Sequence, residues 1–435
     1  MGEVNSSRAV TRGAPDGTAP LPLTFSTVTF GCKVNQYETQ MMREQLGVFF
    51  AEAGEGERAG VVIVNTCSVT AEADRQARQA MRRARTRNPG ALIVAAGCYA
   101  RRPGVDLVAE GLADRVVERP AAEALLAALN LPATGAVAGG ITRFDGHTRA
   151  FVKVQDGCDR RCSFCVIPLI RGDSVSRPLT DLVDEVRRLA AGGVPEVVLC
   201  GVRLNAYRDA ATGARLPDLL RALVGLPELG RLRLSSLYPG KLEPELIELL
   251  AAHPKICRHL HLPIQSGSDA VLRAMRRGYT AADILGPITA LRAQCPDLGL
   301  TADVLVGFPG ETDADVDATE RVVEACGFHH LHLFPFSARP GTPAENMTPL
   351  PQPVVEARMA RLRALAARLR ADSLAGWVGR TTEVVVERSP HAGAWRGTTG
   401  SYHPVRVLGT AVQPGAVARV RLTGVTAGVL EGVAA

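Results

Sequence analysis

Three cysteines in one short loop, Cys158, Cys162 and Cys165, are the residues of this sequence best suited to chemistry. At the spacing Cys-x3-Cys-x2-Cys, three thiolates can hold three irons of a cubane iron–sulfur cluster and leave the fourth iron without a protein ligand. An open iron is a place for a small molecule to bind, so the spacing favours cluster chemistry over simple electron storage. Zinc is the alternative, because thiolates bind it as well. A structural zinc site takes four ligands, however, and the loop contains no further Cys or His.

A second set of cysteines, Cys32, Cys67 and Cys98, lies in residues 24–131, where short apolar runs alternate with helical patterns. This alternation predicts an open parallel α/β sheet. Each cysteine closely follows a predicted strand, and such sheets bind ligands at the carboxyl ends of their strands, so we expect the three thiols to converge there. The alternative is three unrelated buried cysteines, which their equivalent positions disfavour. The predicted strands cover residues 27–30, 61–64 and 92–96, and the predicted helices cover residues 36–52 and 72–87.

The rest of the chain divides by its pattern. Residues 1–23 are predicted to be a disordered tail, and residues 132–148, rich in Gly, Ala and Thr, a linker. Residues 149–375 resume the alternation with six predicted strands, which indicates a barrel-like parallel sheet with functional loops at its carboxyl face. Residues 376–435 have β-like segments and indicate a small all-β barrel, a shape often used to bind nucleic acid. The six strands are expected at residues 150–154, 196–199, 231–234, 259–262, 302–306 and 330–334.

Composition narrows the class of protein. The chain has 435 residues, 46% hydrophobic and 22% charged, as is ordinary for a soluble protein of two or three domains. No apolar run approaches the ~18 residues of a membrane span, so no membrane partner is expected. Ten cysteines in such a chain do not suggest a secreted disulfide scaffold, and a cytoplasmic location suits thiolates that must stay reduced. The net charge of +6 modestly favours an anionic partner.

The motif Cys-x3-Cys-x-aromatic-Cys, with Phe164 in the aromatic place, resembles the cluster loop of radical S-adenosylmethionine (SAM) enzymes. The resemblance implies a partial (β/α)6 barrel and a 4Fe-4S cluster whose open iron binds SAM and cleaves it to a 5′-deoxyadenosyl radical. Two cysteine triads followed by a small β-barrel resemble the methylthiotransferase family, with its N-terminal cluster domain, radical-SAM barrel and C-terminal TRAM domain. That resemblance implies two 4Fe-4S clusters, one at each triad. It also implies tRNA as partner, not DNA, and an electron donor such as flavodoxin or ferredoxin.

Local motifs point to one branch of that family. The run from Gly31 to Glu38 and the run from Val64 to Thr70 resemble the MtaB-like branch. This implies methylthiolation of C2 of N6-threonylcarbamoyladenosine at position 37 of tRNA, next to the anticodon, with two SAM molecules used. Lys33 is expected to meet the carboxylate of the threonylcarbamoyl group. The alternatives are a branch that acts on isopentenyladenosine in tRNA or on a ribosomal protein side chain, and a non-enzymatic RNA-binding protein with two structural metal sites.

Residues at the ends of the predicted barrel strands match the SAM-binding motifs of the family. The resemblance assigns SAM contacts to Phe164, Gly201, Gln265, Leu305 and Val306, although ordinary strand-to-helix turns would carry similar residues. The family usually places a Gly-Gly-Glu-like turn where this chain has Cys200-Gly201-Val202, so Gly201 is expected to contribute its backbone. The four cysteines outside the triads are expected to be structural: Cys200, Cys257, Cys295 and Cys326.

Basic residues offer surfaces for RNA. Four arginines recur at helical spacing in the predicted helix 72–87, and a stripe of this kind binds phosphates or is simply a solvated helix face. In the C-terminal region, four residues are expected to add charge and stacking surfaces for RNA. The first set is Arg75, Arg78, Arg82 and Arg85, and the second is Arg388, Arg396, Tyr402 and His403.

Overall fold

A wholly parallel five-stranded sheet begins the fold of this computed structural model. Its elements are β1 (Thr24–Thr29), α1 (Lys33–Leu46), β2 (Ala51–Glu52), β3 (Val61–Thr66), α2 (Ala71–Arg87), β4 (Leu92–Ala96), α3 (Gly97–Ala100), β5 (Arg115–Val117) and α4 (Ala122–Ala128). The strand order is β2-β1-β3-β4-β5, and β3 is buried throughout because β-branched residues fill it. Helix α2 packs on the sheet through Ala77, Met81 and Ala84. The predicted open α/β sheet is confirmed.

The predicted helix 36–52 is wrong at its carboxyl end. Helix α1 stops at Leu46, and the last two residues of the predicted helix form β2, which pairs in parallel with β1. The pairing of β2 with a distant strand overrides the local helical pattern of these residues. A single sequence does not reveal such a pairing.

Two compact units make up the chain. The structure describes residues 24–117, 122–133, 137, 139–387, 394–409 and 412–435, so the predicted tail 1–23 lies outside it. The first unit holds the described residues of 24–31, 41–68 and 72–136, and the second holds those of 32–40, 69–71 and 137–435. The division runs through α1, whose first half belongs to the second unit. None of the helices in the described part of the chain has the length and apolar character needed to cross a bilayer.

From residue 149 onwards, the second unit has six parallel strands, as predicted. It also has one antiparallel strand, β7 (Val175–Ser176), that was not predicted. Its first elements are β6 (Arg149–Asp156), α5 (Ile167–Arg171), β7 (Val175–Ser176), α6 (Leu179–Ala191), β8 (Glu196–Gly201), α7 (Leu216–Val224), β9 (Arg231–Leu234), α8 (Pro244–Ala252), β10 (His259–Gln265), α9 (Asp269–Ala274), α10 (Ala281–Gln294), β11 (Gly299–Val306), α11 (Asp313–Cys326) and β12 (His330–Pro335). They form the sheets β7-β6-β8-β9 and β10-β11-β12, and a bridge between Ser236 and His261 continues from one to the other. The arrangement is an incomplete βα barrel.

A closed five-stranded barrel ends the chain and confirms the predicted small all-β fold. It follows α12 (Gln352–Ala375) and consists of β13 (Thr381–Glu387), β14 (Ala394–Thr399), β15 (Pro404–Leu408), β16 (Val417–Thr426) and β17 (Val429–Ala434), in the order β13-β14-β15-β17-β16. Inward valines and leucines such as Val384, Val405 and Leu422 fill it. The domain boundaries predicted from the sequence, at residues 131, 149 and 376, stay a prediction.

A buried carboxylate joins β8 to β9 and to the closed barrel. Glu196 accepts from Arg233 Nε at 2.6 Å and pairs with Arg231 Nη2 at 2.9 Å. Arg233 also donates to the backbone carbonyls of Thr399 and Gly400, at the end of β14, at 2.9 and 3.0 Å. Burial alone would raise the pKa of Glu196, but the arginines lower it to about 2. The carboxylate therefore stays ionised wherever the protein is folded near neutral pH.

We expect Glu196→Gln to remove stability in a pH-dependent way. Because the folded pKa lies below the usual 4.5, the stabilisation is fully present above pH 4.5 and is lost as the pH falls towards 2. The shift corresponds to about 3 kcal/mol. Urea unfolding of the wild type and the variant between pH 7 and pH 3 should show a difference that shrinks with acid. The exposed Glu228→Gln serves as control, and a difference independent of pH would contradict the assignment.

Candidate active site

The Cys158 loop follows β6 and is held by hydrogen bonds at its start. The backbone N–H of Cys158 donates to the carbonyl of Gly172, just after α5, at 2.9 Å. Gly157 has φ +68°, and a Cβ there would lie 1.9 Å from the carbonyl oxygen of Asp173. Only glycine fits this turn, so the sequence Gly157-Cys158 fixes where the first thiol points.

The middle of the loop is attached to two other segments. Ser163 donates its N–H to the carbonyl of Met275 at 3.0 Å and its hydroxyl to the carbonyl of Ala274, at the end of α9, at 2.9 Å. The carbonyl of Ser163 accepts from Ala344 N–H at 2.8 Å. The hydrogen bonds of Ser163 to these two segments therefore hold the loop in place, and with it the three thiols.

The three thiols of the loop fit an iron–sulfur cluster. Burial raises the pKa of Cys165 to about 12, and the nearby Cys162 and Cys158 add to the rise. Thiolates this close together need a positive partner, which irons would provide. Among the described residues, no three Cys, His, Asp or Glu side chains converge on a single metal ion. A cubane cluster has a different requirement, because each of its cysteines binds a different iron.

Arg277, which the sequence analysis missed, connects this loop to the end of β10. Its Nη1 donates to Cys162 Sγ at 3.5 Å and its Nη2 to the carbonyl of Pro263 at 2.8 Å. Tyr279 accepts from Arg277 Nε at 2.9 Å and donates to the carbonyl of Ile264 at 2.9 Å. A buried guanidinium can thus orient one cluster ligand and the strand end together. No local motif signals its contact with the cluster loop, because Cys162 lies 115 residues away in sequence.

The predicted SAM contacts lie at or near strand ends on the face of the Cys158 loop. Gln265, the last residue of β10, has φ +65°, a strained value for a residue other than glycine and typical of functional sites. Gly201 ends β8 opposite Gln155 of β6. Leu305 near the end of β11 is buried in a cluster against which Phe164 packs, and Val306 follows it. Their assignment to SAM stays a prediction.

Gln155, missed as a site residue, fastens the loop to the neighbouring strand. Its Nε2 donates to the carbonyl of Gly157 at 2.7 Å and to Ser174 Oγ at 2.9 Å. Its Oε1 accepts from the N–H of Arg203, just beyond β8, at 2.8 Å. The turn after β8 therefore keeps a fixed position relative to Cys158.

Two cysteines of the second triad belong to the first unit. Cys67 follows β3 and Cys98 lies in α3 directly after β4, the strand paired with β3, and both are buried. Gly97 has φ +84°, and a Cβ there would lie 2.4 Å from the carbonyl oxygen of Thr66. This close approach brings the two cysteine-bearing segments against each other.

Cys32 lies in the second unit, at the start of α1, and is exposed. Burial raises the pKa of Cys200 in β8, the nearby Cys32 adds to the rise and Lys33 opposes it. The first turn of α1 therefore lies near the carboxyl end of β8. Whether all three cysteines share one cluster stays a prediction.

A buried ion network fixes this first half of α1. Glu38 is fully buried, and its Oε1 meets Arg171 Nη1 at 2.9 Å and Lys153 Nζ at 3.0 Å. Arg171 also donates to Asn35 Oδ1 at 2.7 Å and to Asp156 Oδ1 at 2.9 Å. The residues that follow Cys32 are thus bonded to β6 and to the end of α5, the two elements that carry and support the Cys158 loop.

The predicted RNA surfaces are only partly free. In α2, Arg75, Arg78 and Arg85 each pair with a carboxylate, and within the described residues Arg82 forms no ion pair. Arg396 is exposed as expected, whereas Arg388 lies outside the described residues. The prediction for His403 is wrong, because His403 is buried and stacks on His329 at 4.2 Å. Tyr402 is half-buried and stacks on His259 at 4.4 Å, and its role in an RNA surface stays a prediction.

Comparison with known proteins agrees with this geometry. Residues 152–323 match the radical SAM superfamily, and residues 24–118 match the uncharacterized protein family UPF0004. In fold, the chain is similar to the radical SAM methyltransferase TsrM of Kitasatospora setae, with a TM-score of 0.55 over 74% of this chain and 75% of that one, at 18% identity. The fold and the cysteine loop define a radical-SAM protein.

Relatives of similar length narrow this class. A tRNA-2-methylthio-N(6)-dimethylallyladenosine synthase of Novosphingobium aromaticivorans is 37% identical over 90% of this chain and 93% of its own length. The corresponding enzyme of Anaeromyxobacter sp. (strain K) is 36% identical over 94% of each chain. The threonylcarbamoyladenosine tRNA methylthiotransferase MtaB of Chlamydia pneumoniae is 36% identical over 84% of this chain and 87% of its own. The chain belongs to the radical-SAM methylthiotransferase family and is a transferase.

We expect Glu38→Ala to loosen the first half of α1. Removal of the carboxylate leaves Arg171 and Lys153 as uncompensated buried charges, a loss of about 3–5 kcal/mol. Hydrogen exchange of residues 33–40 and urea unfolding should both report it. The matched control is Glu72→Ala, which breaks an exposed pair with Arg75 and should change neither measurement appreciably, because solvent screens such a pair. Equal effects of the two variants would contradict the role given to the network.

Proposed function

We propose that this chain attaches a methylthio group to C2 of an N6-modified adenosine at position 37 of tRNA, next to the anticodon. The observation that carries the proposal is the fixed three-cysteine loop beyond β6, bonded through Gln155 and Arg277 to the ends of β8 and β10. A site of this kind serves bond activation that side-chain acids and bases cannot achieve. The names of the full-length relatives supply the substrate class and the transferred group.

The proposal assigns two 4Fe-4S clusters and SAM to the residues predicted from the sequence. When bound, a cluster and SAM supply the one-electron chemistry that an unactivated aromatic C–H bond requires. Arg277 orients Cys162 and offsets thiolate charge. The ligands of one cluster are Cys158, Cys162 and Cys165, those of the other are Cys32, Cys67 and Cys98, and the SAM contacts are Phe164, Gly201, Gln265, Leu305 and Val306.

Among the possible N6 groups of the substrate adenosine, the names of the relatives favour the dimethylallyl group. The two relatives with the highest coverage described above act by name on N6-dimethylallyladenosine, so this alternative is better supported than the threonylcarbamoyl group that the local motifs predict. A flavodoxin or ferredoxin as electron donor and a cytoplasmic location complete the proposal, since both suit an enzyme with reduced cysteines.

One observation still favours threonylcarbamoyladenosine as a second candidate. Lys33 lies near enough to Cys200 in β8 and to His332 in β12 for its ammonium charge to favour a lower pKa of both groups. A carboxylate on the substrate would pair with this ammonium through a charge-assisted hydrogen bond. A hydrocarbon group offers no such partner.

The two triads should have separable roles. Replacing Cys158, Cys162 and Cys165 with Ala should remove about four irons and abolish 5′-deoxyadenosine formation, because SAM cleavage depends on that loop. Replacing Cys32, Cys67 and Cys98 should also remove about four irons and end methylthio transfer, with SAM cleavage at least partly retained. Iron analysis, visible absorption and product chromatography under anaerobic conditions measure this.

The control for both triple variants is Cys295→Ala with Cys326→Ala, two buried cysteines outside either triad. This double variant should keep the full iron content. Full iron content in a triple variant would instead exclude that triad as a cluster site.

The substrate can be decided with two tRNAs, one bearing dimethylallyladenosine and one bearing threonylcarbamoyladenosine. If dimethylallyladenosine is the substrate, wild type and Lys33→Met should both convert it, and mass spectrometry of nucleosides should show little product from the other tRNA. Preference for the threonylcarbamoyl form, lost in Lys33→Met, would establish the second candidate. Turnover of neither tRNA would contradict the proposed function.

A further inference from the structure

A basic cleft of about 430 Å³ opens beside the Cys158 loop, within the second unit. The segments that line it follow β6, β8 and β9, so it lies on the same face as the cysteines. None of the predicted SAM contacts lines it. Its polar walls are Arg160, Arg203, Arg208, Arg215, Tyr207 and Tyr238.

The cleft has more positive charge than its carboxylates neutralise. Arg203 pairs with Asp159 at 3.3 Å, and Arg215 pairs with Glu243 at 2.8 Å. Arg160 and Arg208 form no ion pair with any residue that the structure describes. Two guanidinium groups are therefore available to an anion.

Two tyrosines that line the cleft have buried hydroxyls without a hydrogen-bond partner among the described residues. Tyr207 is 2% exposed and Tyr238 is 6% exposed, and neither hydroxyl bonds to another described residue. An unsatisfied buried hydroxyl is costly, and a polar ligand in the cleft would remove that cost. The hydroxyls and the guanidinium groups can all donate hydrogen bonds, which suits a phosphate because its oxygens accept them.

The cleft is also close to the cluster loop. The guanidinium of Arg277 lies 4.9 Å from the ring centre of Tyr238, and its Nη1 is bonded to Cys162 Sγ at 3.5 Å. On its other side, the guanidinium of Arg160 lies 4.8 Å from the same ring. One guanidinium thus separates a wall of the cleft from a cluster ligand.

We propose that this cleft binds a backbone phosphate of the RNA strand, beside the adenosine that is modified. The inference rests on the proposed function, because that function brings an RNA base to the cysteine loop. A phosphate here would anchor the strand on one side of the reacting base and set its register. Arg160 and Arg208 neutralise it, and the two tyrosines donate to its oxygens.

The test uses the reconstituted enzyme and an anticodon stem-loop RNA, with affinity measured over a range of KCl concentrations. Arg208→Gln should weaken binding about tenfold and reduce the slope of log affinity against log salt by about 1. Tyr207→Phe should weaken binding several-fold without lowering the melting temperature, because it removes an unsatisfied hydroxyl. The exposed Arg363→Gln on α12 should change neither property.

The possible outcomes distinguish a failure of the cleft proposal from a failure of the proposed function. If the wild type binds and methylthiolates the RNA while Arg208→Gln and Tyr207→Phe keep its affinity and salt slope, the cleft proposal is overturned and the function stands. If the wild type neither binds nor modifies the RNA, the proposed function is contradicted, and the cleft proposal that rests on it is overturned as well. Both variants should form 5′-deoxyadenosine from SAM at the wild-type rate in the absence of RNA, which shows that they are folded and loaded.

Discussion

The arrangement of the second unit depends on one buried carboxylate. Glu38 is fully buried between Arg171 and Lys153, and it comes from the helix that begins directly after Cys32. A buried charge of this kind is tolerated only with its partners in place, so the ion network holds the first half of this helix in position. That position brings the segment after Cys32 against β6 and α5, which support the Cys158 loop. Two chemically important segments, far apart in sequence, thereby share one scaffold.

The loop itself is organised on the same principle. Backbone bonds from Gly172, Met275 and Ala344 fix its course, while Arg277 bonds a thiol directly. Such preorganisation suits an enzyme whose cofactors perform the difficult bond cleavage, because the protein has only to place reactants and exclude water. The basic cleft next to Arg277 extends this placement from the cofactors to the nucleic-acid backbone.

The sequence predicted what is local and missed what is distant. Apolar runs located the six barrel strands, since each of these signals lies within a few residues. The assignment of the two cysteine triads to clusters stays a prediction. The strand order of the closed barrel was not predicted, because its parallel pair of β15 and β17 joins segments that are not neighbours in sequence. His403 was assigned to an RNA surface from residue type alone, yet it is buried and stacks on His329. Glu38 and Arg171 lie 133 residues apart, and nothing in one sequence indicates such a pair.

Nucleoside mass spectrometry of tRNA from a strain that lacks this gene would show whether the protein is the proposed tRNA methylthiotransferase. We expect a 2-methylthio derivative of an N6-modified adenosine to disappear, while the same nucleoside without the methylthio group accumulates. The wild-type gene should restore the methylthio derivative, and a copy with Cys158→Ala should not. An unchanged level of methylthiolated adenosine in the deletion strain, with no other methylthiotransferase gene in that genome, would exclude the proposed function.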